Sequence, residues 1–520
     1  MRPSAFVTRT VLFLFACLSV ASPWARAEVK LPSLFSENMV LQAAAKDPVW
    51  GMAAPNEKVT VTLGSARANA TADASGRWKA EIGPLEPGGP FEMRVAGSNT
   101  IVIHNVLVGQ VWVCSGQSNM EFNVARANNG WESGVYGAKE VVASANYPMV
   151  RMFTVVKTVA GKPQTDVAGQ WEATSPETVA HFSAVGYFFG LNLLKSLHEP
   201  IGLIHTSWGG TPAESWTTHA TLESNPAFAD ILERWQKEYQ AYPEAMEQYG
   251  AALRDWEQAS KQAEEAGKPM PPAPRLPPDP RNSPWRPSSL YNAMIAPLIP
   301  YRIEGAIWYQ GESNANRAAQ YSKLFPAMIE DWRHMWGEGD FPFLFVQLAG
   351  YQNVHPPYDW PLLREAQLKT LSLPNTAMAV AIDIGNPADI HPRNKQEVGR
   401  RLALAAQAVA YNQKLAYSGP LYSSMEVEGN KIRLHFTHLG GGLVAGGTAP
   451  EHLEGFEIAG ADHKFVGASA RIEGDTIVVE SGSVEQPLAV RYGWQSYPIC
   501  NLYNQAGLPA SPFRTDDWTE

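Results

Sequence analysis

The sequence predicts an α/β protein, a three-layer core in which helices cover both faces of a parallel sheet, flanked by all-β regions. Three observations predict it. Apolar runs of strand length recur at Val106 to Cys114, Ile201 to Ser207, Gly305 to Tyr309, Pro342 to Leu348 and Thr376 to Ile382, without the polar alternation of a half-buried strand. Helical segments such as Gly186 to Leu197 and Tyr321 to Met335 lie between them. Before and after this region the pattern changes to short, alternating strands with turn residues between them.

Length and composition agree. A chain of 520 residues has room for two to four domains, and 45% apolar with 18% charged residues is a globular composition. The net charge of −10, with no basic run, argues against nucleic acid or an anionic membrane as partner. The 17 tryptophans suit sugar stacking and large aromatic cores equally.

Residues 1–27 read as a secretory leader. Arg2 and Arg9 precede an apolar run from Val11 to Ala21, and Ala25-Arg26-Ala27 supplies the small residues of a cleavage site, so the mature chain is expected to begin at Glu28 in the periplasm or outside the cell. The run is about half the roughly 20 residues that span a bilayer, so no membrane insertion is expected. Cys114 and Cys500 remain after cleavage, either as one disulfide or as two buried small hydrophobes.

Residues 28–105 form the first β region, in which Val59, Val61 and Leu63 alternate with Lys58, Thr60 and Thr62, and turns follow at Asp73 to Gly76 and Glu86 to Gly89. The α/β core is expected over 106–415. It ends with a helix after Pro392, on which Val398, Leu402, Ala405 and Val409 recur at helical spacing. An insertion over 225–290 is helix-forming from Pro226 to Ala266 and proline-rich from Pro269 to Pro287, which predicts a solvated helical hairpin and an extended strap. Alternation returns over 416–520, a second β-rich region.

Four segments carry chemistry. Gly116-Gln117-Ser118-Asn119-Met120 follows an apolar strand, and ligands bind at the carboxyl ends of strands in a parallel sheet, which makes Ser118 a candidate nucleophile. A helix opening there would favour the negative charge of an acyl-transfer transition state. Asp389-Ile390-His391-Pro392 offers a base, His391, with Asp389 or Asp383 as the carboxylate that holds its tautomer. Trp308-Tyr309-Gln310-Gly311-Glu312-Ser313-Asn314 supplies neutral amides, Gln310 or Asn314, that could face an oxyanion. In Ser207-Trp208-Gly209-Gly210-Thr211, glycine would let a backbone N–H reach the same oxygen.

The order GQSNMEF, SWGGTPAESW, YNAMIAPL, IWYQGESNA and DIHPRNKQEVGRRLAL resembles the sialate O-acetylesterase family of the SGNH hydrolases over almost the whole mature chain. The resemblance implies a flavodoxin-like core and hydrolysis of acetyl esters on sugars, with no metal and no cofactor. It implies Ser118 as nucleophile, His391 as base and Asp389 as acid, with the N–H groups of Ser118 and Gly210 and an amide of Gln310 or Asn314 around the oxyanion. Asp-x-His replaces the common Asp-x-x-His spacing of that superfamily. Gln117, Asn119, Trp208, Trp216, Trp308, Tyr309 and Glu312 are the expected substrate contacts. The expected substrate is an acetylated glycan, either a sialic acid conjugate or a plant cell-wall polysaccharide such as xylan or xyloglucan. A noncatalytic glycan-binding protein is the third reading, and the sequence indicates no protein partner.

Overall fold

The computed structural model describes residues 28–125, 134–447 and 452–518, so the predicted leader lies outside the described residues. The core sheet is built from β1 (Thr100–Gly116), β2 (Tyr147–Thr154), β3 (Trp171–Thr174), β4 (Ile201–Ser207), β5 (Gly305–Tyr309), β6 (Phe343–Gln347) and β7 (Thr376–Val380), in the order β7-β6-β5-β1-β4-β2-β3. All neighbours are parallel except the edge pair β2–β3. Strands β4 to β7 are buried almost throughout, as their unbroken apolar runs require. From β1 the chain builds β2, β3 and β4 on one side and then crosses to β5 on the other, and a crevice opens at the carboxyl ends where the order reverses.

Strand β1 also joins the N-terminal β region to the core. Its first half pairs antiparallel with Gly88–Ala96 in the N-terminal β region, and its second half is the centre of the parallel sheet. It therefore runs straight across the 105/106 position: Gly88–Ala96 pairs with it as far as Val108, and its parallel core neighbours begin at Gln110.

The helices α1 (Ser118–Glu121), α2 (Ala184–Leu197), α3 (Ala229–Glu265), α4 (Ala318–Trp336), α5 (Trp360–Lys369) and α6 (Lys395–Val409) follow the strands. Helices α2 and α6 pack against each other. Gly399 permits this approach, since a Cβ there would sit 2.7 Å from the backbone nitrogen of Phe189. The insertion departs from the expected hairpin. Helix α3 is one continuous element of 37 residues with Pro243 inside it, and the proline-rich strap returns alongside, where its Pro271 carbonyl accepts from the Trp256 indole at 2.8 Å.

Beyond the core, two four-stranded sheets enclose their own apolar cluster, with Ile432, Leu434, Phe456, Ile458, Val490 and Tyr492 at its centre. Buried Arg364 of α5 ties this region to the core by donating to the carbonyls of Gln495 and Ser496. Cys114 and Cys500 are both free thiols. Among the described residues, no helix is long and apolar enough to cross a membrane.

Candidate active site

The carboxyl ends of β1, β4 and β5 converge on Ser118. Gly116 ends β1 at φ 138°, and a Cβ there would stand 2.2 Å from the Tyr309 carbonyl, so only glycine lets the chain turn this tightly beside β5. The Gln117 N–H donates to that same carbonyl at 3.0 Å, and the Trp208 N–H donates to the Gly116 carbonyl at 3.1 Å. Ser118 then opens α1, whose first N–H groups have no intrahelical acceptor.

His391 meets it from the other end of the core. Its Nε2 is 2.9 Å from Ser118 Oγ, which is hydrogen-bonding distance. Asp389 lies behind the ring with Oδ1 3.6 Å from Nδ1, and the same oxygen accepts the His391 backbone N–H at 2.8 Å. The rival carboxylate is spent elsewhere. Asp383 holds buried Arg401 with two bonds of 2.6 and 2.7 Å.

Burial pushes the His391 imidazole down to about 4; nearby Lys395 adds to the depression and Asp389 opposes it. At neutral pH the ring is uncharged, the form that can take a proton from the serine.

Beneath Ser118 lies a buried polar network that sequence reasoning did not find. Asn119 donates to Glu312 Oε1 at 2.6 Å and to the Ile390 carbonyl at 3.1 Å, and its oxygen accepts from the Lys395 ammonium. Burial lowers Lys395 to about 7 and raises Glu312 above the usual carboxylate range. Asn119 was expected to contact substrate; its side-chain nitrogen and oxygen are instead engaged inside the protein. A lysine at the start of a helix carries no sequence mark of such a role.

The cleft above Ser118 holds about 780 Å³. Gln117, Trp208, Gly210 and Glu312 line it. Glu121, Lys157 and the loop carrying Tyr351, His355 and Tyr358 line it as well, and sequence reasoning missed these. The proline- and aromatic-rich composition of that loop, just past β6, was the available signal.

Three expected aromatic contacts are core residues. Trp216 and Trp308 are buried edge to face, 6.1 Å between centroids, with the Trp216 indole donating to Thr211 Oγ1. Tyr309 is buried under the Lys395 ammonium. Only Trp208 of the four faces the cleft.

The expected oxyanion donors divide in the same way. The Gly209-Gly210 turn lies against Ser118, since a Cβ on Gly209 would be 3.3 Å from Ser118 Cβ. Gly209 donates to Glu121 at 2.6 Å, leaving Gly210 as the next N–H in the turn. The side-chain amides of Gln310 and Asn314 do not face the cleft. Gln310 donates to Asn314 Oδ1 at 2.7 Å, and Asn314 donates to Glu214 at 2.8 Å, so both are consumed in joining two loops. Gln117 is the cleft's side-chain amide beside Ser118. Its oxygen accepts from the N–H groups of Gly311 and Ser313 at 3.4 and 3.3 Å, which leaves the NH2 as the end free for a ligand.

Comparison with known proteins places the chain among carbohydrate esterases. The family model for carbohydrate esterases, described as sialic acid-specific acetylesterase, matches residues 281–408. The human sialate O-acetylesterase is 32% identical over 93% of this chain and 92% of its own length, and the mouse protein is 33% identical over 93% and 94%. The crystal structure of a carbohydrate acetylesterase from Xanthomonas citri superposes with a TM-score of 0.78 at 39% identity, covering 94% of this chain and all of that one. Fold, site and relatives together define a carboxylic ester hydrolase of the carbohydrate acetylesterase class. Within that class, the chain belongs to the sialate O-acetylesterase family.

Proposed function

We propose that the protein is an exported serine esterase that removes O-acetyl groups from glycans through an acetyl-enzyme, on an SGNH-type core. The observation that carries this reading is the 2.9 Å contact between Ser118 Oγ and a neutral His391 at the carboxyl edge of the sheet. Ser118 Oγ attacks the acetyl carbon while His391 Nε2 takes its proton. The negative charge on the carbonyl oxygen is met by the N–H groups of Ser118 and Gly210 and by the Gln117 amide. His391 then protonates the departing sugar oxygen, and water, deprotonated by the same ring, releases acetate. Asp389 sits behind the imidazole and stabilises its charged form.

The leader supports export, and the names of the human and mouse relatives make sialic acid conjugates the first substrates to test. A single acetylated sugar leaves much of a 780 Å³ cleft unfilled, which favours acetylated polysaccharide as the second substrate class. A panel of acetylated glycans scored for released acetate tests the reading. Release from sialosides or from plant polysaccharides is the expected result, and turnover of none of them would refute it. Intact mass of secreted protein beginning at Glu28 checks the export.

A further inference from the structure

The active-site cleft does not end at the serine. A second lobe of about 370 Å³ adjoins it, and Gly210, Ser313 and Tyr358 line both. Its outer wall is the insertion: Trp235 stands on α3 and Trp285 on the returning strap. We propose that this lobe is a subsite for a neutral sugar ring next to the acetylated one, so that the enzyme works on an oligosaccharide chain. The proposal rests on the esterase reading above and names the substrate form for that same site.

Two kinds of observation carry it. Trp285 is 58% exposed and Tyr358 47% exposed, although both border a concave site. The Trp285 indole N–H donates to the Gly210 carbonyl at 2.7 Å, which fixes the ring in place with its surface turned to solvent. An aromatic ring held still and left uncovered beside a catalytic cleft is a stacking platform for the apolar face of a pyranose.

The polar groups of the lobe set the charge of the ligand. Arg317 and Arg234 approach Glu214 Oε1 at 3.1 and 3.7 Å, and Glu238 also faces the space. Two guanidiniums against two carboxylates leave no net charge for an anionic sugar to answer. The guanidinium N–H groups and carboxylate oxygens suit hydroxyls, which both donate and accept.

Turnover of acetylated xylose is compared with that of acetylated xylotriose, and calorimetry measures binding of unacetylated xylotriose. For the native enzyme, kcat/KM should rise about tenfold or more from the single sugar to the trimer, the factor expected of one good ring contact. Trp235→Ala and Trp285→Ala should each remove most of that rise and weaken binding of the unacetylated trimer, with melting transitions confirming the fold. It is Trp285 that bonds the Gly210 carbonyl, so the Trp235 variant separates stacking from loss of that bond beside the proposed oxyanion site. Equal turnover of monomer and trimer by the native enzyme would overturn the subsite while leaving the esterase standing. A rise with length that survives both substitutions, or one shown only by an acetylated galacturonic acid trimer, would also overturn it. If no acetylated sugar is turned over, the esterase reading fails, and calorimetry alone then decides the lobe: tryptophan-dependent binding of the trimer upholds it, and absence of binding ends it.

Discussion

The Asn119 side chain donates to the carbonyl of Ile390 at 3.1 Å, so the residue after the proposed nucleophile grips the loop that carries the proposed base. Asn119→Ala releases that loop and leaves buried Glu312 and Lys395 without a shared partner. Stability should fall by about 1–3 kcal/mol, the cost of stranded buried polar groups. On an aryl acetate, kcat should fall more than KM rises. A kcat equal to that of the native enzyme would show that the grip does not position His391.

Acid inactivation follows from the state of His391. Its folded pKa of about 4 lies below the ordinary imidazole value, and the neutral ring is the active form, so kcat/KM should be flat near neutrality and drop as pH falls through about 4. Lys395→Met removes a positive charge that depresses the ring, so the acid limb should move to higher pH. A native limb near the unperturbed value of about 6.5 would mean that burial does not govern the ring.

The two aspartates should separate cleanly. Asp389→Asn should lower kcat by about a hundredfold or more, short of the roughly ten-thousandfold seen where an aspartate bonds the imidazole directly, because its oxygen stands 3.6 Å off. Asp383→Asn should instead cost about 3–5 kcal/mol of stability, since it strips a buried arginine of its bidentate partner. Melting curves and kcat on both variants check this. The reverse pattern would reassign the acid.

Tryptophan substitutions should sort by burial. Trp216→Ala should cost about 3–5 kcal/mol by opening a hole in the core. Trp208→Ala should raise KM for an acetylated glycan more than for an aryl acetate. Equal changes in both substrates for Trp208→Ala would make that ring a support of the fold.

What the sequence made legible divides along the same physical line. Ile201–Ser207 and Gly305–Tyr309 were readable to the residue because a strand covered on both faces must be apolar throughout. Ser118 and His391, 273 positions apart, were each marked by a strand end and a short motif, and the family resemblance paired them. Orientation was not readable. Trp208 and Trp216 look alike in sequence, yet one faces the cleft and the other fills the core, and Gln310 and Asn314 sit at the right strand end but turn toward Glu214. Those outcomes depend on packing between segments far apart in the chain. The helix-forming stretch from Pro226 to Ala266 was readable, but its folding as one helix, Ala229–Glu265 with Pro243 inside, rather than as a hairpin was not.

The central claim is that Ser118 forms the acetyl-enzyme. A serine-directed phosphonate, followed by peptide mass analysis, tests it most directly. The account predicts that label appears on the Ser118 peptide with complete loss of acetate release, and that Ser118→Ala takes up no label and loses about a million-fold in kcat with its melting transition intact. Full acetate release by folded Ser118→Ala would contradict it.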